Sequence, residues 1–142
     1  MNATNIITTN SEQETLSLAA KIARTLKVGD LITLRGRVGA GKSVLARGLI
    51  WSILGEKVVV PSPTFTLVQA YPFKDINIYH YDLYRLQQPE EIFELNFEEA
   101  LQNITIIEWP EIIEDYLPND FKEIIINSSA PQKRQFTLNF TL

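Results

Sequence analysis

The run Gly36-Arg37-Val38-Gly39-Ala40-Gly41-Lys42-Ser43 reads G-x-x-x-x-G-K-[ST], the phosphate-binding loop of nucleoside triphosphatases. Four fixed positions recur by chance in on the order of one chain in two hundred of this length, so the neighbouring residues carry part of the argument. Leu31-Ile32-Thr33-Leu34 precedes the loop, an apolar and partly β-branched run that predicts a buried strand. Val44 to Leu54 follows, an apolar stretch of helix length that stops at Gly55. Strand, glycine loop and helix in that order commit this part of the chain to an α/β arrangement.

The residue types follow from the chemistry. Backbone N–H groups converge on phosphate oxygens only if the loop curls tightly, which Gly36, Gly39 and Gly41 permit. The helix N-terminus adds partial positive charge. Lys42 is expected to reach the β- and γ-phosphates and the Ser43 hydroxyl to hold Mg²⁺. The loop's candidate nucleotide contacts are therefore Gly36, Gly39, Ala40, Gly41, Lys42, Ser43 and Val44.

The rest of the chain supplies a sheet around this unit. Ile6–Thr9 reads as an edge strand, and Ser11 to Glu14 has capping-box form, opening a helix expected to bury Leu16, Ala19, Ala20, Ala23 and Leu26. Phe65–Tyr71 and Ile76–Tyr81 suggest an antiparallel hairpin. Pro89–Leu101 reads as short acidic helices, Ile104–Ile107 as a second buried strand, Glu111–Tyr116 as a helical stretch, and Phe121–Asn127 and Gln135–Phe140 as strands. The sum is about six to eight strands and about three to five short helices, an α/β fold with a mixed sheet flanked by helices. At 142 residues, with no linker or repeat, residues 1–142 are expected to form a single domain.

Composition excludes some classes. The net charge of −4 argues against a general nucleic-acid binder, which would need an excess of Lys and Arg. There is no cysteine, hence no disulfide and no cysteine metal site. The polar first fifteen residues do not read as a signal peptide and no run approaches membrane-spanning length, so a cytoplasmic location without a membrane partner is the expectation.

Two acids follow strand-like runs: Asp82 after Ile76–Tyr81 and Glu108 after Ile104–Ile107. In open α/β sheets ligands bind beyond the carboxyl ends of strands, and a phosphate-loop enzyme needs an acid there for Mg²⁺ and water. No apolar run ending in Asp-Glu is present, so both are placed by position. His80, the single histidine, is expected to pack or to orient a neighbour rather than catalyse. Arg85 is expected to pair with an acid. Thr64, in Ser62-Pro63-Thr64-Phe65, stands evenly between a plain turn and a loop that senses the γ-phosphate. Trp109 either stacks on a ligand or, as is usual for Trp, fills core.

Taken together, G-x-x-G-A-G-K-[ST] at Gly36–Ser43, S-P-T-F at Ser62–Phe65, H-x-D-L-Y-R-L at His80–Leu86 and E-W-P-E at Glu108–Glu111 resemble the bacterial TsaE (YjeE) family of small ATPases, over about residues 6–140. The resemblance implies an ATP- and Mg²⁺-dependent hydrolase that serves threonylcarbamoyladenosine modification of tRNA. It would act as a switch on the TsaB–TsaD heterodimer and meet tRNA only through that complex. It implies that Lys42 and Ser43 serve phosphate and Mg²⁺, that Glu108 is an acid on the Mg²⁺ side, and that Asp82 supports the same centre. It also implies that Thr64 belongs to a switch-like loop and that Trp109 and Arg134 lie at the nucleotide. Arg37-Val38 departs from the family's usual Asp-Leu, at positions whose side chains point away from the phosphates in a standard loop.

The catalytic set expected is thus Lys42, Glu108 and Asp82, with Ser43, Glu108 and Asp82 at the metal. Turnover alone should be slow, since no arginine finger is evident in the sequence. The alternatives are a small-molecule kinase of nucleoside type, against which the acidic Pro89–Asn103 segment and the lack of an Arg-rich lid speak, and a nucleotide-binding interaction module without turnover.

Overall fold

Side chains alternate between the two faces of a strand, and here each face gathers its own core. Ile32 and Leu34 join one apolar cluster, while Leu31, between them and the chain's preceding turn, joins the other. The computed structural model describes residues 5–37 and 39–142; Val38 of the loop lies outside the described residues.

The elements are β1 (Asn5–Thr9), α1 (Glu12–Ala23), β2 (Leu31–Arg35), α2 (Lys42–Leu54), β3 (Val68–Phe73), β4 (Ile76–Asp82), α3 (Phe97–Ala100), β5 (Ile104–Glu108), β6 (Lys122–Ala130) and β7 (Lys133–Leu138). Two 3₁₀ segments, Pro89–Leu95 and Pro110–Tyr116, flank α3 and β5. The strands form one seven-stranded sheet in the order β1-β7-β6-β2-β5-β4-β3. Its centre is parallel, from β6 through β2 and β5 to β4, and both margins are antiparallel. Helices α1 and α2 cover one face, with Ile22, Leu45, Leu49 and Ile50 buried against Ile78, Ile106 and Phe136. The other face is covered by α3 and the 3₁₀ segments, with Ile92, Phe97 and Ile113 against Tyr81 and Ile107. This is the mixed sheet with flanking helices expected from the sequence.

Three local expectations need correction. Ser11 caps α1, its Oγ accepting from the Glu14 N–H at 3.0 Å, but the Glu14 carboxylate reaches back to the N–H of Asn10 at 2.9 Å rather than to Ser11. The buried residues of α1 are Thr15, Leu18, Ala19 and Ile22; of the expected five only Ala19 is fully buried. The helix faces two neighbours at once, the sheet and α2, so its stripe is rotated toward the sheet while Leu16 leans on α2. Thr15 is buried because its hydroxyl bonds that of Thr9 at 2.8 Å. The hairpin β3–β4 is also shifted: Phe65 and its neighbours form turns, Pro72 lies within β3, and the connection narrows to Lys74-Asp75.

The α1–α2 contact depends on Gly48. A Cβ there would stand 2.7 Å from Ala19 Cβ and 3.0 Å from Leu16 Cδ2, closer than packed carbons tolerate. Gly48→Val is expected to lower stability by about 1–3 kcal/mol through overpacking, read from urea unfolding; an unchanged midpoint would mean that α1 slides away freely.

Candidate nucleotide-binding site

Parallel pairing sends the C-terminal ends of β4, β5 and β2 to the same edge of the sheet. The register sets Leu34 beside Glu108 and Glu108 beside Asp82. The loop starts one turn of chain after Leu34, so the two acids and the loop stand in one row, in the crevice where an open α/β sheet binds ligands.

The loop's glycines are used as its chemistry requires. Gly39 and Gly41 hold φ of 81° and 111°, a region other residues rarely adopt. Helix α2 begins directly after Gly41, and no side chain caps its first N–H groups, which leaves them free for an anion. Lys42 is 5% exposed. Its ammonium donates to the carbonyls of Gly36 and, at 3.3 Å, of Arg37, and it lies 3.4 Å from the centre of the Trp109 ring. Burial pulls the Lys42 pKa below its ordinary value, against the opposing pull of Glu108, Glu111 and Asp82. A phosphate would supply the counter-charge that this ammonium lacks.

The two acids differ in how far the chain uses them. Asp82 accepts from the Thr64 hydroxyl at 3.0 Å through Oδ2 and from the Tyr84 N–H at 3.1 Å through Oδ1. Glu108 is engaged through Oε2 alone, 2.6 Å from His80 Nε2. Beneath them, Arg35 at the end of β2 ties Glu114 of the second 3₁₀ segment at 2.7 Å and Glu123 of β6 at 2.8 Å. Burial works against that guanidinium's charge, but its hydrogen bonds to the two acids prevail and hold its pKa above the ordinary value.

The loop contributes Gly39, Gly41, Lys42, Ser43 and Val44 to a cavity of about 470 Å³, and Thr64, Asp82, Glu108, Trp109 and Arg134 stand in its walls. Gly36 and Ala40 shape the loop from beneath instead: a Cβ on Gly36 would stand 2.7 Å from the Ile126 carbonyl oxygen, and Ala40 is part of the core. Trp109 is half-buried, lining the cavity while packing against the edge of the second core, with φ of 59° and its ring 4.9 Å from that of Tyr84. Arg134 arrives from the β6–β7 hairpin, where its guanidinium bonds the Ser128 hydroxyl at 3.0 Å and its Nε would lie 3.2 Å from a Cβ on Gly41.

Tyr84 and Ser62 also line the cavity and were not among the candidates. Tyr84 had a signal, since it sits two residues after Asp82 and its N–H closes on that carboxylate. Arg85, expected to meet an acid, lies instead with its guanidinium 4.6 Å from the centre of the exposed Phe65 ring.

The donors present suit a magnesium nucleotide. Ser43, Thr64, Asp82 and Glu108 offer hard oxygens, and Lys42 with the uncapped N–H groups of α2 offers positive charge. Among the described residues no three of His, Cys, Asp and Glu cluster as a self-contained metal site.

The chain is also similar to known proteins. The family model described as "Threonylcarbamoyl adenosine biosynthesis protein TsaE" matches residues 9–136. A tRNA threonylcarbamoyladenosine biosynthesis protein TsaE from Rickettsia conorii is 47% identical over 128 residues, covering 89% of this chain and 73% of the relative. Its counterpart from Bacillus subtilis is 33% identical over 129 residues, covering 91% and 81%. The crystal structure of YdiB from Bacillus subtilis superposes with a TM-score of 0.78 at 30% identity, over 97% of this chain and 86% of that one.

Proposed function

The chain belongs to the TsaE family, which serves tRNA threonylcarbamoyladenosine biosynthesis, and on that premise we propose that it is a Mg²⁺-dependent ATP hydrolase acting as a nucleotide-driven switch on the TsaB–TsaD heterodimer. The observation that carries this reading is the row formed by the Lys42 loop, Glu108 and Asp82 at one sheet edge, opening on one cavity.

In this reading the loop amides and Lys42 bind the β- and γ-phosphates, Lys42 trading the carbonyls of Gly36 and Arg37 for phosphate oxygens. Ser43, Glu108 and Asp82 would hold Mg²⁺, which when bound neutralises charge on the β- and γ-phosphate oxygens. Glu108, with one oxygen uncommitted to the chain, orients the water that attacks the γ-phosphorus. Asp82 serves mainly by fixing Thr64 and the Tyr84 turn around the phosphate. Trp109 and Tyr84 wall the site, and Arg134 adds a cation from the opposite side.

The net charge of −4 favours contact with tRNA through the complex rather than directly. Among the described residues no helix is long and apolar enough to cross a membrane. ATP hydrolysis by the chain alone and with purified TsaB and TsaD tests the proposal. Slow turnover alone and about tenfold or greater stimulation by the pair is expected, as for a site completed in trans. An equal rate with and without the pair, or phosphate transfer to a nucleoside acceptor, would sink it.

A further inference from the structure

His80 is the chain's single histidine, its side chain is 3% exposed, and the mechanism above gives it no task. We propose that His80 is a positioning residue: it holds the Glu108 carboxylate by one oxygen, away from Lys42, so that both charges stay available to nucleotide. The inference rests on the reading of Glu108 and Lys42 given above.

The placement follows from strand register. His80 pairs with Ile106, and Glu108 pairs with Asp82, so His80 and Glu108 are diagonal neighbours on adjacent strands. Alternation puts Ile78, His80 and Asp82 on the same sheet face as Ile104, Ile106 and Glu108, the face that α2 covers. The ring and the carboxylate are thus buried together at 2.6 Å, a close hydrogen-bonded contact just under the range of about 2.7–2.9 Å for a charge-assisted N–H···O bond.

The other ring nitrogen decides which atom carries the proton. Nδ1 is sealed from solvent and has no hydrogen-bond partner among the described residues. An ionised carboxylate only accepts, so Nε2 must be the donor. A second proton on Nδ1 would be a buried donor with nothing to receive it, which is costly. Nε2 is therefore the nitrogen that donates to Glu108, and the ring acts as a fixed donor.

Glu108 needs such a donor because of its neighbour. A glutamate has three rotatable bonds, and Lys42 lies within its electrostatic reach. The two nevertheless form no ion pair, and the carboxylate is paired with His80 instead. Without His80, Glu108 is free to close on Lys42 and neutralise the charge that phosphate needs.

Two experiments test this. Nitrogen-15 NMR of the nucleotide-free protein has only one imidazole to assign. It is expected to show a proton on Nε2, with its shift moving in Glu108→Gln; a proton on Nδ1 alone would overturn the proposal. The second reads Mg²⁺-free ATP binding in a double-mutant cycle. His80→Leu is expected to weaken binding about tenfold, His80→Gln, which restores a donor, to return it to within about threefold, and His80→Leu to change it less than about twofold in the Glu108→Gln background. An equal loss in both backgrounds would make His80 plain packing. Wild-type protein that binds no ATP would instead overturn the reading of the whole site, whatever the ring's proton.

Discussion

Lys42→Ala is expected to reduce TsaB–TsaD-stimulated ATP hydrolysis on the order of a thousandfold, the scale of losing one preorganised charge at a transition state. Lys42 is largely buried at the cavity wall and the hydrogen bonds of its ammonium are to carbonyls of its own loop, so nothing else in the cavity stands where it stands. The variant should remain folded. Burial lowers the Lys42 pKa, so the folded state holds that proton less tightly than the unfolded chain does. The charged lysine therefore costs the nucleotide-free fold stability below its lowered pKa, and the cost fades as pH rises through it. Removing the side chain removes that cost at neutral pH, and the melting temperature should not fall. A residual rate above about a tenth of wild type, in a variant of normal stability, would show that Lys42 is not the phosphate cation.

Glu108→Gln is the second large effect. Glutamine keeps the shape and can still meet His80, but it carries no charge with which to orient water or metal. Stimulated hydrolysis is expected to fall about 10²–10⁴-fold. ATP binding should hold or tighten, because a negative charge has been taken from beside the phosphates. The measurement pairs single-turnover hydrolysis with ATP binding on the same sample. Full turnover in Glu108→Gln would pass the role to Asp82, despite both its oxygens being occupied by Thr64 and Tyr84.

What was legible in the sequence was whatever local chemistry dictates. The glycine loop, the strand before it and the helix after it follow from short-range rules, and β2 and α2 lie where those rules put them. The strand-end position of Asp82 and Glu108 was also readable, because a strand's carboxyl end in a parallel sheet has one destination. The buried face of α1 was not. A helix that lies on a sheet and beside another helix has two apolar sides, and periodicity alone favoured the alanine side over Leu18 and Ile22. Arg134 could be reached only by resemblance, since it meets the loop through a hairpin more than ninety residues downstream. The partner of Arg85 was misread because an exposed aromatic ring, Phe65, competes with acids for a guanidinium. The His80–Glu108 contact needed the pairing register of β4 with β5, which no single-strand pattern encodes.

Pro72 has a bearing on how the molecule keeps to itself. It pairs with Asn77 in the β3–β4 ladder, and the Asn77 N–H points away from β3, toward the Asn103 side chain at 3.0 Å. In an antiparallel pair the facing residue is oriented likewise, so the nitrogen of Pro72 looks outward over the open margin of the sheet. The donor that proline lacks is therefore missing from the margin and not from the ladder inside. A strand from another copy seeking to extend the sheet at β3 would find the last of its outward donors, after Val68 and Ala70, missing, and the fold carries this guard against edge-to-edge aggregation at no cost to its own hydrogen bonds.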